Sequence, residues 1–344
     1  MIVTREIKIL KLLKWTLFDI IKLLIFVCLV AALYYFEVVT VHLPWLPVSV
    51  IGTAVAFYLS FKNNQSYDRL WEARKIWGGI VNDSRTWGMM VDGYITNNFM
   101  NERVSASEIQ SIKKRLIYRH IAWLYAHRSQ LLVATSWEHI GQDGFIAKKV
   151  EYFQEKYGVG LLDDEITRTE LKLFLPEEEH DRLIAAVNTA TQIINEQSRD
   201  LAELRERGLI DDFRHVEMVN VLKDFYTLQG KNERIKKFPL PRQYANASRY
   251  FVNIFILLLP FSMIPELMDL VDWGIWISIP ITALIGWVYL VMELVGDYSE
   301  NPFQGMANDI PMMSLCRTIE IDLREMLKET ALPPAIESKD GVLM

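Results

Sequence analysis

The stretch WLPVSVIGTAVAFYLSFKNNQSYDRLWEARKIWG, residues 45–78, decides the fold. It begins as an uncharged apolar run and becomes polar and charged from Lys62 onward, with no proline after Pro47. Because nothing within it would break a helix, the stretch predicts one continuous helix that leaves a membrane and continues into the cytosol. Thr53, Phe57 and Phe61 are spaced four residues apart and therefore share one face of that helix.

This face supports two interpretations. An aromatic stripe that leads into an asparagine-rich mouth at Asn64 is typical of a pore-lining helix. The alternative is that the stripe packs against neighbouring helices, as aromatic stripes most often do.

The composition indicates a protein that lies partly in a bilayer and partly in water. The 344 residues are 51% hydrophobic and 23% charged, which is too apolar for an ordinary soluble domain and too charged for a wholly membrane-embedded bundle. The formal net charge of −6 argues against nucleic acid as a partner. Two cysteines, Cys28 and Cys316, cannot form a disulfide scaffold, and both are expected to be reduced thiols.

Four apolar runs are long enough to cross a bilayer. Lys and Arg cluster before the first run, after the second and before the third, whereas the two predicted hairpin loops contain neither residue. The positive-inside rule therefore places both termini and the long middle segment in the cytoplasm. The runs cover residues 15–36, 45–61, 250–267 and 273–295.

The middle segment is water-soluble in composition and helical in pattern. Helices are predicted over 104–134, 181–207 and about 211–235, with Gly208 as a C-cap and Asp211 or Asp212 capping the helix that follows. Residues 135–180 are interpreted as an insertion of short helices and loops, and residues 331–344 as a frayed tail. The chain thus divides into an N-terminal segment with two spans, a cytosolic helical domain, a second pair of spans and a C-terminal cytosolic segment, at 1–61, 62–249, 250–295 and 296–344.

Three stretches resemble the bestrophin family of pentameric ion channels, most closely its bacterial branch. They are SFKNNQSYDRLWEARKIWG at 60–78, QGKNERIKKFPLP at 229–241 and ENPFQGMANDIPMMSLCRTIEIDL at 300–323. The resemblance implies an all-α membrane protein with four transmembrane helices and a large helical cytosolic domain per subunit. It further implies a homopentamer with an axial pore, in a bacterial inner membrane.

The resemblance also implies roles for particular residues. Thr53, Phe57 and Phe61 would form the narrow neck of the pore, and Phe213 a second, cytosolic constriction. Asn301, Pro302 and Phe303 match a motif that continues into a Ca²⁺-binding run of acids in eukaryotic relatives. Here the continuation keeps only Asp309, which is far fewer carboxylates than Ca²⁺ requires.

The sequence carries no recognisable catalytic or cofactor motif. It contains no HExxH, CxxC, Walker or GxGxxG pattern, and none of its six histidines lies within an apolar run. No enzyme activity, cofactor or metal is therefore expected. The function expected is passive conduction of monovalent ions, with the choice between anions and cations left open. The alternative is a membrane-anchored scaffold whose cytosolic helices bind a partner protein.

Overall fold

The computed structural model describes residues 1–6, 9–98, 103–139, 148, 151–152 and 171–344. The named elements of this part of the chain are all α-helices: α1 (Ile9–Tyr35), α2 (Trp45–Tyr94), α3 (Ala106–Leu132), α4 (Glu177–Ile184), α5 (Thr189–Glu206), α6 (Asp212–Lys237), α7 (Arg242–Leu270), α8 (Gly274–Ser299) and α9 (Met312–Met326). Most of the predicted insertion at 135–180 lies outside the described residues.

The helices form two compact units. The first, called here the span unit, comprises residues 4–69 and 239–301, and the second, the helical unit, comprises residues 1–3, 70–238 and 302–344. Helix α2 contributes its N-terminal half to the span unit and its C-terminal half to the helical unit.

The span unit holds the four predicted membrane helices. Within the described residues, α1, α2, α7 and α8 are long and apolar enough to cross a bilayer, which confirms the four spans. Helix α8 packs against both α7 and α1. Two small buried clusters hold these helices together: one joins Val55 and Leu59 of α2 to Val252, Phe255 and Leu259 of α7, and the other joins Val30 and Tyr34 of α1 to Ile264 and Ile275.

The helical unit is built around α3, which is buried on nearly every side from Leu116 to Arg128. A helix that is enclosed all round must satisfy its polar side chains internally. Arg119 does so by donating to Glu179 of α4, with Nη2 to Oε2 at 2.9 Å, and to Asp200 of α5. The ion pairs thereby bind three helices to one another.

Two expectations for this unit are wrong. The helix predicted over 181–207 is broken between Ile184 and Thr189, because the Asn188 side chain accepts from the Thr191 N–H and begins a new helix there. The new helix ends as predicted, with Gly208 in the left-handed region at φ 72°. Asp211 caps α6 by accepting from the N–H groups of Phe213 and Arg214.

The tail predicted to be frayed is instead tied to the N-terminus. Ile2 and Val342 form an antiparallel bridge, and the Val3 N–H donates to the Gly341 carbonyl at 2.9 Å. The Ser314 N–H of α9 donates to the Met344 carbonyl at 2.8 Å. Val342 and Met344 are buried, so these two apolar side chains anchor the end of the chain.

Two histidines lie in the aromatic core of the helical unit. His120 stacks on Trp123 at a centroid distance of 5.2 Å, and its Nε2 lies 2.9 Å from the Ser84 hydroxyl. His127 stacks on the other side of Trp123 at 5.6 Å and lies 3.0 Å from the Asn232 amide nitrogen. Burial lowers the pKa of His120 to about 3 and that of His127 to about 4, so both rings are neutral at physiological pH.

The helical unit should therefore lose stability in mild acid. An unfolded histidine titrates near 6.5, so the contribution of these rings to stability is complete above pH 6.5 and falls as pH approaches the folded values. By about pH 4.5 the loss should reach roughly 2–3 kcal/mol for each ring. Denaturant unfolding followed by near-ultraviolet circular dichroism measures it, with His120→Gln/His127→Gln as the control. A double variant that loses stability between pH 6.5 and 4.5 as steeply as the wild type contradicts the assignment.

Candidate pore-lining helix

Helix α2 is one uninterrupted helix of 50 residues, about 75 Å long at a rise of about 1.5 Å per residue. Pro47 lies in its first turn, where a missing N–H costs no helical hydrogen bond. The predicted continuity from apolar to charged sequence is therefore confirmed.

Gly52 brings α2 close to two other span helices. A Cβ atom at this position would lie 2.7 Å from the ring of Phe255 in α7. The Tyr289 hydroxyl of α8 donates to the Gly52 carbonyl at 3.0 Å, and the Phe255 and Tyr289 rings are 4.4 Å apart. This close approach assigns one face of α2 to helix packing and leaves the opposite face uncovered.

The four residues predicted for the neck and mouth lie together on that uncovered face. Phe57 is 65% exposed and Phe61 is 69% exposed, with Thr53 and Asn64 also exposed above and below them. Val55 and Leu59, which alternate with them in sequence, are buried. Within the protomer the aromatic stripe is thus not a core stripe.

The stripe also extends further than the sequence pattern indicated. Leu46 and Val50 continue it toward the N-terminus of α2, and both are exposed. The signal that would have found them is the same helical spacing extended by two turns. The Thr53 hydroxyl donates to the Ser49 carbonyl at 2.9 Å, so its proton is engaged within the helix and its oxygen remains available as an acceptor.

A buried ion pair joins α2 to α8 on the side of α2 that faces away from the stripe. Lys62 Nζ is 2.6 Å from Glu293 Oε1 of α8, and the two side chains are only 1% and 8% exposed. The predicted span at 45–61 ends just before Lys62, and Glu293 lies near the end of the predicted span at 273–295; the two residues were not predicted to pair. The general rule that a charge within an apolar run needs a partner would have indicated that Glu293 is paired, but not which residue is its partner.

Phe213 lies at the first turn of α6 and is 86% exposed. The turn that carries it is bonded to the end of α2 within the helical unit. The Thr96 N–H donates to the Leu209 carbonyl at 3.0 Å, and Arg214 Nη1 donates to the Tyr94 carbonyl at 3.1 Å. These bonds fix the position of an uncovered apolar side chain next to the C-terminus of α2.

The motif at 301–309 uses its carboxylate to fold its own backbone. Asp309 accepts from the N–H groups of Phe303 at 3.1 Å, Gly305 at 3.0 Å and Ile310 at 2.7 Å. Phe303 is fully buried with φ 74°, a strained value that these bonds help to hold. Burial raises the pKa of Asp309, while the three N–H donors act in the opposite direction.

The residues of the 301–309 motif are divided between the two units. Asn301 Nδ2 donates to Glu300 Oε1 at 3.2 Å within the span unit, whereas Pro302, Phe303 and Asp309 belong to the helical unit. Among the residues that the structure describes, no three His, Cys, Asp or Glu side chains cluster closely enough to hold a metal ion.

Most of the chain is similar in sequence to a known protein family. Residues 2–325 match the family described as Bacterial/Fungal Bestrophin protein. YneE of Escherichia coli K12, a voltage-dependent anion channel-forming protein, is 24% identical over 290 residues, covering 84% of this chain and 79% of that protein. The voltage-dependent anion channel-forming protein alr2987 of Nostoc sp. PCC 7120 is 24% identical over 316 residues, covering 92% and 87%.

The fold agrees with solved structures as well. A bacterial bestrophin homologue from Klebsiella pneumoniae aligns with a TM-score of 0.73 at 23% identity, over 92% of this chain and 99% of that one. The resemblance carried by the three sequence stretches is thus confirmed. Since the family match covers nearly the whole chain, this protein belongs to the bacterial and fungal bestrophin family.

Proposed function

We propose that this protein is the subunit of a passive ion channel, a homopentamer in which α2 of each subunit lines the axis. The observation that carries the proposal is the uncovered stripe on α2, where Phe57 and Phe61 are about two-thirds exposed on the face opposite the one that packs against α7 and α8. Its relatives in Escherichia coli and Nostoc are named as anion channel-forming proteins, which supports the same class of function.

The oligomer follows from the size of the subunit. A single subunit has only four spans, which are too few to enclose an ion pathway. Several copies must therefore surround a shared axis. A symmetric ring repeats the same α2 face around that axis. Exposed aromatic residues on this face then become rings of side chains.

Two constrictions are assigned on this basis. Phe57 and Phe61 form the membrane neck below Thr53, with Asn64 at its mouth, and Phe213 forms a cytosolic ring. Apolar rings oppose conduction because an ion must shed water there without receiving a replacement ligand. Thr53 supplies only an acceptor oxygen, since its proton is bonded within α2.

The neck does not set the sign of the permeant ion. Residues 53–61 include no charged side chain, so selectivity belongs to the wider regions on either side. The Lys and Arg residues that flank the spans support cytoplasmic termini in the bacterial inner membrane.

Ion flux from liposomes reconstituted with the purified protein tests the function. Flux above that of empty liposomes is expected, and the reversal potential in a KCl gradient then gives the sign of the permeant ion. Protein that inserts fully and carries no flux favours the scaffold alternative.

We expect the detergent-solubilised protein to be a homopentamer. The physical reason is that the uncovered α2 stripe can line an enclosed axis only when copies of α2 from several subunits surround that axis and close the ring. Native mass spectrometry measures the assembly directly. Spectra dominated by monomers or dimers at working concentration contradict both the assembly and the conduction mechanism.

We also expect channel currents to change little when cytosolic Ca²⁺ is chelated. Asp309 already accepts three backbone N–H groups, and Ca²⁺ needs about six or more oxygen ligands. Excised-patch or bilayer recordings with buffered Ca²⁺ measure the dependence. Steep, saturable activation in the micromolar range argues against this expectation.

A further inference from the structure

Two adjacent residues bond α2 to α8 on the side opposite the stripe. Lys62 Nζ pairs with Glu293 Oε1, and Asn63 Nδ2 donates to the Met292 carbonyl at 3.0 Å. Successive residues of a helix are rotated by about 100°, so these two side chains straddle the back of α2 relative to Phe57. A helix held at two such points cannot rotate without breaking at least one bond.

Neighbouring residues of α7 and α8 support these two bonds. The Ser248 hydroxyl of α7 donates to the same Glu293 oxygen at 3.0 Å, so three span helices meet at one carboxylate. A Cβ atom on Gly296 would lie 2.1 Å from the Asn63 amide oxygen, so only glycine lets Asn63 lie against α8 here. A buried ion pair resists separation strongly, because removing one partner leaves an uncompensated charge.

We propose that Lys62 and Glu293 are positioning residues of the channel, which fix the rotation of α2 about its own axis and so keep Phe57, Phe61 and Asn64 on the uncovered face. This inference rests on the proposed function for its consequence, which is the setting of the neck. The bonds that carry it lie within the span unit of one subunit. Neither residue faces the stripe, so both act on it only by holding α2 in place.

Reporter cysteines on α2 test the rotation independently of ion flux. Asn64 is exposed and Ser66 is fully buried, although they are two residues apart and about 200° apart around the helix. Asn64→Cys or Ser66→Cys is introduced with Cys28→Ser, since Cys28 is exposed. Reaction with a membrane-impermeant maleimide in liposomes should be at least about tenfold faster at position 64, because a buried thiol reacts only through local opening.

Breaking the pair should bring the two rates together. Lys62→Met and Glu293→Gln are each expected to reduce the rate ratio toward unity and to change the unitary conductance. The charge swap Lys62→Glu/Glu293→Lys restores both readouts, which a merely destabilising effect would not do. Arg249→Met is the matched control, since it breaks the Arg249–Asp297 pair at 3.4 Å between α7 and α8 without touching α2.

The outcomes separate this inference from the proposed function. Single variants that assemble and keep the wild-type rate ratio overturn the positioning role, whether or not the protein conducts. Where single variants do not assemble, the swap decides: an assembled swap with the wild-type ratio supports the role, and one with a ratio near unity overturns it. A wild-type protein that shows the ratio but no flux refutes the channel proposal and leaves the positioning role intact.

Discussion

Replacing Phe57 and Phe61 together with alanine should raise the unitary conductance or open probability of the channel. Both side chains are uncovered in the protomer, so truncation leaves no cavity within it. If they form two apolar rings around the axis, their removal widens and hydrates the main barrier to ions. Selectivity should change little, because the substitution removes no charge. Single-channel recording in planar bilayers measures all three quantities.

A matched control is available on α1, where Ile25 and Leu29 also lie one turn apart and are exposed to a similar degree. Their double alanine variant should leave conductance unchanged. If instead the phenylalanines are buried between subunits, each substitution should cost roughly 3–5 kcal/mol and the assembly should weaken with no gain in current. A well-assembled double variant with unchanged conductance and gating refutes the gate and leaves the fold intact.

Much of the span unit was predictable because its signals are local. The apolar runs have the length that a bilayer demands, and the absence of a breaker after Pro47 is enough to predict that α2 continues from its apolar run into charged sequence. The spacing of Thr53, Phe57 and Phe61 placed them on one face, and the structure shows that this face is uncovered. Their role in conduction stays a prediction, since it depends on copies of the chain surrounding one axis.

The features that were missed depend on residues far apart in sequence. Lys62 and Glu293 are separated by 231 positions, and no sequence pattern near either residue indicates which residue is its partner. Val342 is a second case, because it is bridged to Ile2, which lies near the other end of the chain. The break before α5 is different: Asn188 offers a local cap that competes with the continuing helical pattern, and a periodicity argument does not weigh that competition.

Replacing Asp309 with alanine should strongly destabilise the helical unit. The variant leaves the N–H groups of Phe303, Gly305 and Ile310 buried without their acceptor. A buried donor without an acceptor costs about 1–3 kcal/mol, so the loss of the acceptor for three donors should lower the free energy of unfolding by at least about 3 kcal/mol. Phe303 and Gly305 both have positive φ, at 74° and 78°, and lose the bonds that hold this backbone. Denaturant unfolding monitored by near-ultraviolet circular dichroism measures the loss.

Asp309→Asn separates the loop-anchoring role from metal binding. Asparagine keeps one acceptor oxygen in place, so the loss should be about half of that in the alanine variant. Because the carboxylate acts on the backbone of its own loop, millimolar Ca²⁺ should not restore stability to either variant or add to that of the wild type. Stabilisation of the wild type by Ca²⁺ that Asp309→Asn abolishes would instead identify Asp309 as a calcium ligand. An alanine variant as stable as the wild type would show that the loop is held by other contacts, such as the bond from the His139 N–H to Gln304 Oε1 at 3.0 Å.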